Sequence, residues 1–219
     1  MVLHTNKDLN IKGVFSGFIL AFILFHGGQL FFSNVYKYFE RELIPIVYIL
    51  IVILGMGLTN LFMLYQYGFL PSFRNRNLKE SLKIALAGIV LIWIVIFIEV
   101  LIFFESKAYD PFIRSLLSLP SPFFYVGAVL LTVISPFLEE ILVRGYFFEI
   151  LRRKWNIAIS FFIVILFSSI MHYSVGIGLI HVILMDAIFT FLYLNGGLVS
   201  SILGHIFANY YIIYFLNLE

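Results

Sequence analysis

Cysteine is absent from all 219 residues. That excludes disulfides, thiolate zinc sites and cysteine-based nucleophilic catalysis. Charge is scarce. Only 12% of residues are Asp, Glu, Lys or Arg, about half the share of a soluble globular chain. No basic run is interleaved with aromatics, so the sequence carries no nucleic-acid groove. No internal repeat occurs, and the inverted-repeat signature of many small transporters is therefore missing. Apolar bulk is what the chain has in excess: 62% hydrophobic residues, including 26 Phe. Disordered chains lack such a composition. It fits an integral membrane protein folded as one domain over residues 1–219.

A helix that crosses a bilayer needs about 20 mainly apolar residues. About seven segments qualify, at roughly 13–32, 44–64, 82–104, 122–149, 157–172, 177–194 and 197–216. The expected fold class is all-α, a polytopic membrane helix bundle of about seven transmembrane helices. The first segment reads as a retained span, too long for a signal-peptide core and without a small-residue cleavage pattern. The fourth is long enough to tilt or to project beyond the bilayer. Residues 111–119 are expected to form a short interfacial helix. Turn residues punctuate the connections, as in Pro71-Ser72, Asp110-Pro111 and Asn195-Gly196-Gly197. Lys7, Lys12, Arg74, Arg76, Lys79, Lys83, Arg152, Arg153 and Lys154 fall on one side of this arrangement. Lys37, Arg41, Lys107 and Arg114 fall on the other. The positive-inside rule then predicts a multi-pass protein of the cell membrane with a cytoplasmic N-terminus.

Against this background Glu139-Glu140 and Arg144 stand out, since they lie within an apolar run. Each charged group in a membrane helix costs about 2.5–3.5 kcal/mol on insertion scales. Residues four apart share a helix face, so Glu140 and Arg144 are expected to pair. Glu139 lies about 100° round the helix from Glu140, without a partner on its own helix. That division suggests a structural ion pair and a separate carboxylate free for chemistry. Pro136 removes a backbone donor just before the pair and is expected to kink the helix. His205 and Asn209 are also four apart and share a face of the last span. Such a pair can donate to an oxyanion or simply bond between helices. His172 closes the fifth span. His26, Glu99, His181 and Asp186 also fall within spans and are read as structural or supporting. Asp186 could meet His181 or reach the site from the sixth helix.

The ordered set of Glu-Glu-x-x-x-Arg, a His closing the next span, and His-x-x-x-Asn near the C-terminus resembles the CPBP family. These are the CAAX prenyl proteases and bacteriocin-processing enzymes, or Abi-type intramembrane proteases. The resemblance covers roughly residues 122–212, including Tyr193-Leu194-Asn195-Gly196-Gly197-Leu198 before His205. One departure stands in the second motif, usually Phe-x-x-x-His. Ser168 occupies the position four before His172, and Phe167 lies five before. The resemblance implies an intramembrane endopeptidase acting on a membrane-associated protein or peptide, such as a lipidated peptide or a bacteriocin or pheromone precursor. It implies Glu139 as general base assisted by His172, with His205 and Asn209 on the oxyanion. Glu140 and Arg144 would hold the geometry. No cofactor is expected, although Glu139, His172 and His205 could hold zinc with water as the fourth ligand. The compact His-Glu-x-x-His arrangement is absent. The competing readings are a non-catalytic immunity or scaffold protein and, third, a small transporter with proton-relaying carboxylates.

Overall fold

A computed structural model describes residues 11–35, 38–40, 43–68, 71, 77–103, 116–172 and 179–216. All its long elements are helices: α1 (Ile11–Val35), α2 (Ile44–Tyr67), α3 (Leu78–Phe103), α4 (Ser121–Lys154) and α5 (Ile157–His172), followed by Leu179–Leu216. Local sequence explains several ends. Pro45 opens α2, and Gly68 closes it in the left-handed region at φ 66°. Pro122 opens α4. Most of the expected 111–119 helix lies outside the described residues, as does the side chain of Glu99.

The last stretch is not one rod. Gly197 sits at φ 78°, ψ −174°, a conformation nearly confined to glycine. The rings of Phe189 and His205 stack with centroids 4.4 Å apart. A straight helix would separate these two residues by roughly 24 Å. The chain therefore doubles back at Gly197 into α6 (179–196) and α7 (198–216). Leu192 of α6 packs against Gly204 of α7 and against Gly88 of α3, where a Cβ would collide with it. Small residues at such points let membrane helices approach closely. Ser81 at the start of α3 pins the turn. Its hydroxyl donates to the Gly196 carbonyl at 2.7 Å, and Ser200 donates to the Ser81 carbonyl at 2.7 Å.

Among the described residues five segments are long and apolar enough to cross a membrane, the last of them being the α6–α7 hairpin, and α5 is a shorter apolar helix. The chain is a multi-pass helical bundle, and the expected segments all appear. The largest shift is in α4, which runs past 149 to Lys154, while α1 and α2 run on to Val35 and Tyr67 and α3 opens at Leu78. The interior seam lies among α1, α4 and α5. There Phe18 packs edge-on to Phe147 at 4.2 Å and stacks on Phe167 at 4.4 Å. Phe167 thus turns to the core beside the departure at Ser168.

Candidate active site

The α4–α5 hairpin brings Glu139 and His172 to one level. By chain position they lie equally far from its turn at Trp155-Asn156, once α4 is taken to Lys154. With the shorter span expected from the sequence they would have been offset. Glu139 is 8% exposed, and its Oε1 lies 3.9 Å from His172 Nε2. That exceeds a direct hydrogen bond and leaves both groups able to reach a third atom. His172 Nδ1 donates to the Ser168 carbonyl at 2.9 Å. A carbonyl only accepts, so the bond fixes the proton on Nδ1 and turns Nε2 toward Glu139.

Both groups line a cavity of about 40 Å³, against the roughly 10–15 Å³ that one water needs. Its other walls come largely from α1 and α2, including Ala21, Phe25, Gly55 and Thr59. The Thr59 hydroxyl is turned back to the Gly55 carbonyl at 2.9 Å. Glu139 and His172 are therefore the ionisable groups at an otherwise mostly apolar cavity.

About 100° round α4 from Glu139, Glu140 and Arg144 pair as their spacing predicts, at 2.9 Å and fully buried. The pair is not isolated. Glu140 Oε1 also accepts from His205 Nδ1 at 2.9 Å, and its Oε2 meets the Ser201 hydroxyl. Arg144 Nη2 reaches both the carboxylate and the main-chain carbonyl of Asp186. Asp186 thus comes to the site from α6, one of the two placements open from sequence. Phe189 meets both groups, stacked on His205 with the Arg144 guanidinium 5.6 Å from its ring centre.

Asn209 has its own structural partner, and α4 explains it. Leu130–Ile134 winds in wide turns, so the Ser135 N–H bonds the Leu130 carbonyl. The next donor in that register would be residue 136, which is Pro and has none. The Leu131 carbonyl is left over, and Asn209 Nδ2 donates to it at 3.1 Å. One N–H of the carboxamide is used there and the second remains. His205 and Asn209 share a face of α7, but they meet α4 at different levels, Glu140 and Leu131.

Residues 121–211 match the family described as type II CAAX prenyl endopeptidase, Rce1-like. The likeness is confined to this segment. The CPBP resemblance is borne out over nearly the residues on which it was drawn. No curated protein and no solved structure matches the chain. The matched segment spans α4 to α7 and holds every polar residue placed at the site above except Thr59. The match points to a CAAX-protease-like hydrolase, while α1 and α2 lie outside it.

Within the described residues no three His, Asp or Glu side chains converge so as to hold a metal ion. His205 is engaged by Glu140, leaving Glu139 and His172 as two donors where a catalytic zinc takes three. Among the described residues, Glu139 and His172 alone fall short of a catalytic zinc's donor set.

Three contributors escaped the sequence reading. Asn60 of α2 donates to the Leu138 carbonyl at 3.0 Å, bracing α4 beside Glu139. It was findable as an amide in an apolar helix. Ser201 was not findable, because a lone serine in a membrane helix carries little signal. Glu149 is buried and accepts from Arg152 at 2.6 Å, Arg153 at 2.8 Å and the Tyr193 hydroxyl at 2.9 Å. It ties the end of α4 to α6. His26 rests against the rings of Phe22 and Phe25 on α1, away from the site, and His181 lies on α6.

Proposed function

We propose that this protein is an intramembrane endopeptidase that hydrolyses a peptide bond in a membrane-associated protein or peptide. The observation that carries the reading is the meeting of Glu139 and His172 at a water-sized cavity inside the bundle. Glu139 takes a proton from a water in that cavity, and the hydroxide attacks the scissile carbonyl. The second N–H of Asn209 and the Nε2–H of His205, which it carries only as an imidazolium while Nδ1–H stays on Glu140, are the groups assigned to the oxyanion. As the C–N bond breaks, the proton taken from water passes by way of His172 to the leaving amine. Glu140, Arg144 and Ser201 hold His205 in place.

The cavity walls on α1 and α2 suit an apolar side chain next to the cleaved bond. The substrate class follows the resemblance: a lipidated peptide, or a bacteriocin or pheromone precursor. The basic residues at the end of α4 support a cytoplasmic N-terminus and a place in the cell membrane.

Substituting Glu139→Gln tests the reading. Membranes carrying wild type or the variant are compared by peptide mass spectrometry. Cleaved peptides present only with wild type, from equal amounts of folded protein, are the expected result. A variant that keeps every peptide, or that keeps an immunity effect with no cleavage by either form, overturns it.

A further inference from the structure

The Arg144 guanidinium is used in an unusual way. An arginine facing one carboxylate favours two parallel N–H···O bonds, fork to fork. Arg144 makes no such pair. Nη1 goes to Glu140 and Nη2 goes to Asp186, one carboxylate on each arm. Nε and Asp186 Oδ2 are both buried without a hydrogen-bond partner in the described structure. The arrangement sacrifices two polar atoms to keep Glu140 on a single arm.

Glu140 gains freedom from this. Its Oε1 keeps a second lone pair for His205 Nδ1, and its Oε2 stays with Ser201. If Nη2 were open, Glu140 could rotate to span both arms, and His205 would lose the acceptor that fixes its ring. We propose that Asp186 is a positioning residue for His205. It blocks the second arm of Arg144, restricts Glu140 to one arm, and so holds the imidazole with Nδ1 on Glu140 and Nε2 toward the cavity side of α4. Asp186 touches no substrate in this scheme. Thr59 and His172 belong to the cavity, and Glu139, about 100° round α4 from Glu140, makes no hydrogen bond to Arg144 or His205 among those described.

The inference rests on the peptidase reading for its kinetic arm only. Its other arm reads the His205 ring directly, as the Nδ1 proton resonance of a ¹⁵N-histidine-labelled full-length chain in nanodiscs. A proton held by a carboxylate is shifted far downfield and exchanges slowly. Assignment uses His205→Gln as the blank. Asp186→Ala removes the carboxylate from that arm and leaves it only the main-chain carbonyl at 3.2 Å, and Asp186→Asn keeps a side-chain oxygen acceptor on it without the charge.

In Asp186→Ala the resonance should disappear. Turnover should fall about ten- to a hundredfold, as expected for a misplacement of an ångström, with KM within about twofold. In Asp186→Asn the resonance and most of the turnover should return. A role limited to stability would lower the melting temperature and leave the resonance in place. Should Asp186→Ala not fold, Arg144→Lys makes the test from the other side. Its compact ammonium has no second arm for Glu140 to span, so the resonance should stay in Arg144→Lys and in Arg144→Lys combined with Asp186→Ala, and its loss in either overturns the proposal.

A resonance retained in the single variant Asp186→Ala, a KM effect without a kcat effect, or an Asn variant as impaired as Ala each overturns the proposal. If wild type cleaves nothing, the peptidase reading falls, and the ring resonance still decides the role of Asp186.

Discussion

Removing Asn209 should damage the protein in two separable ways, and Pro136 allows them to be told apart. The Leu131 carbonyl has no backbone donor, because Ser135 serves Leu130 and Pro136 has no N–H. Asn209→Ala leaves that carbonyl unsatisfied within the bundle. An unsatisfied buried acceptor costs about 1–3 kcal/mol, whereas interhelical side-chain bonds in membranes average nearer ~0.6 kcal/mol. The expected loss is therefore about 1–2 kcal/mol, or a fall of roughly 2–8 °C in melting temperature for a chain of this length. Pro136→Ala restores a backbone N–H in the register that the wide turns of α4 already use. In the double variant residue 136 can donate to Leu131, and at least half of the lost stability should return. Cleavage should not return, because the second N–H of the carboxamide is still missing. Thermal unfolding in nanodiscs and a peptide-release assay on the same samples measure both. A double variant no more stable than Asn209→Ala would refute the account of the orphaned carbonyl. Cleavage recovered along with stability would refute the oxyanion role of Asn209.

Arg144→Met should destabilise by about 3–5 kcal/mol, since it leaves Glu140 and Asp186 as buried charges without their cation; chemical unfolding in detergent checks this. Gly197→Ala places a Cβ at φ 78° and should cost about 1–3 kcal/mol, loosening the α6–α7 turn, read as faster proteolysis there. Gly145→Ala sets a Cβ 2.7 Å from Pro71 and should cost about 1–3 kcal/mol by overpacking, visible as a lower melting temperature. Ala21→Phe should fill the cavity beside Glu139 and raise KM or abolish cleavage, at an overpacking cost of about 1–3 kcal/mol; unchanged KM and kcat would show that substrate does not use that wall.

Much of the site was legible because charge is costly in a membrane helix. Glu139, Glu140 and Arg144 stand out against their apolar surroundings, and helical spacing alone separates the paired carboxylate from the free one. The Glu140–Arg144 contact follows from that spacing. Gly197 was readable too, as part of an Asn-Gly-Gly turn between two spans. Composition was enough for the all-α multi-pass class.

Tertiary structure decided which polar residue meets which. Periodicity places residues around one helix and says nothing about the neighbouring helix or its height. The level of His172 depended on where α4 ends, and five further residues of helix brought it to 3.9 Å from Glu139. Asp186 could be assigned to the sixth helix, but only the packing of α6 on α4 sent it to Arg144 and not to His181. Asn209 met Leu131 because a wide turn and a proline together stranded one carbonyl, a coincidence of backbone hydrogen bonds that no residue count contains. The sequence thus determined what the bundle had to bury, because each polar group is costly in lipid wherever it lies. The fold determined how those groups are satisfied, because hydrogen bonds depend on ångströms between separate helices.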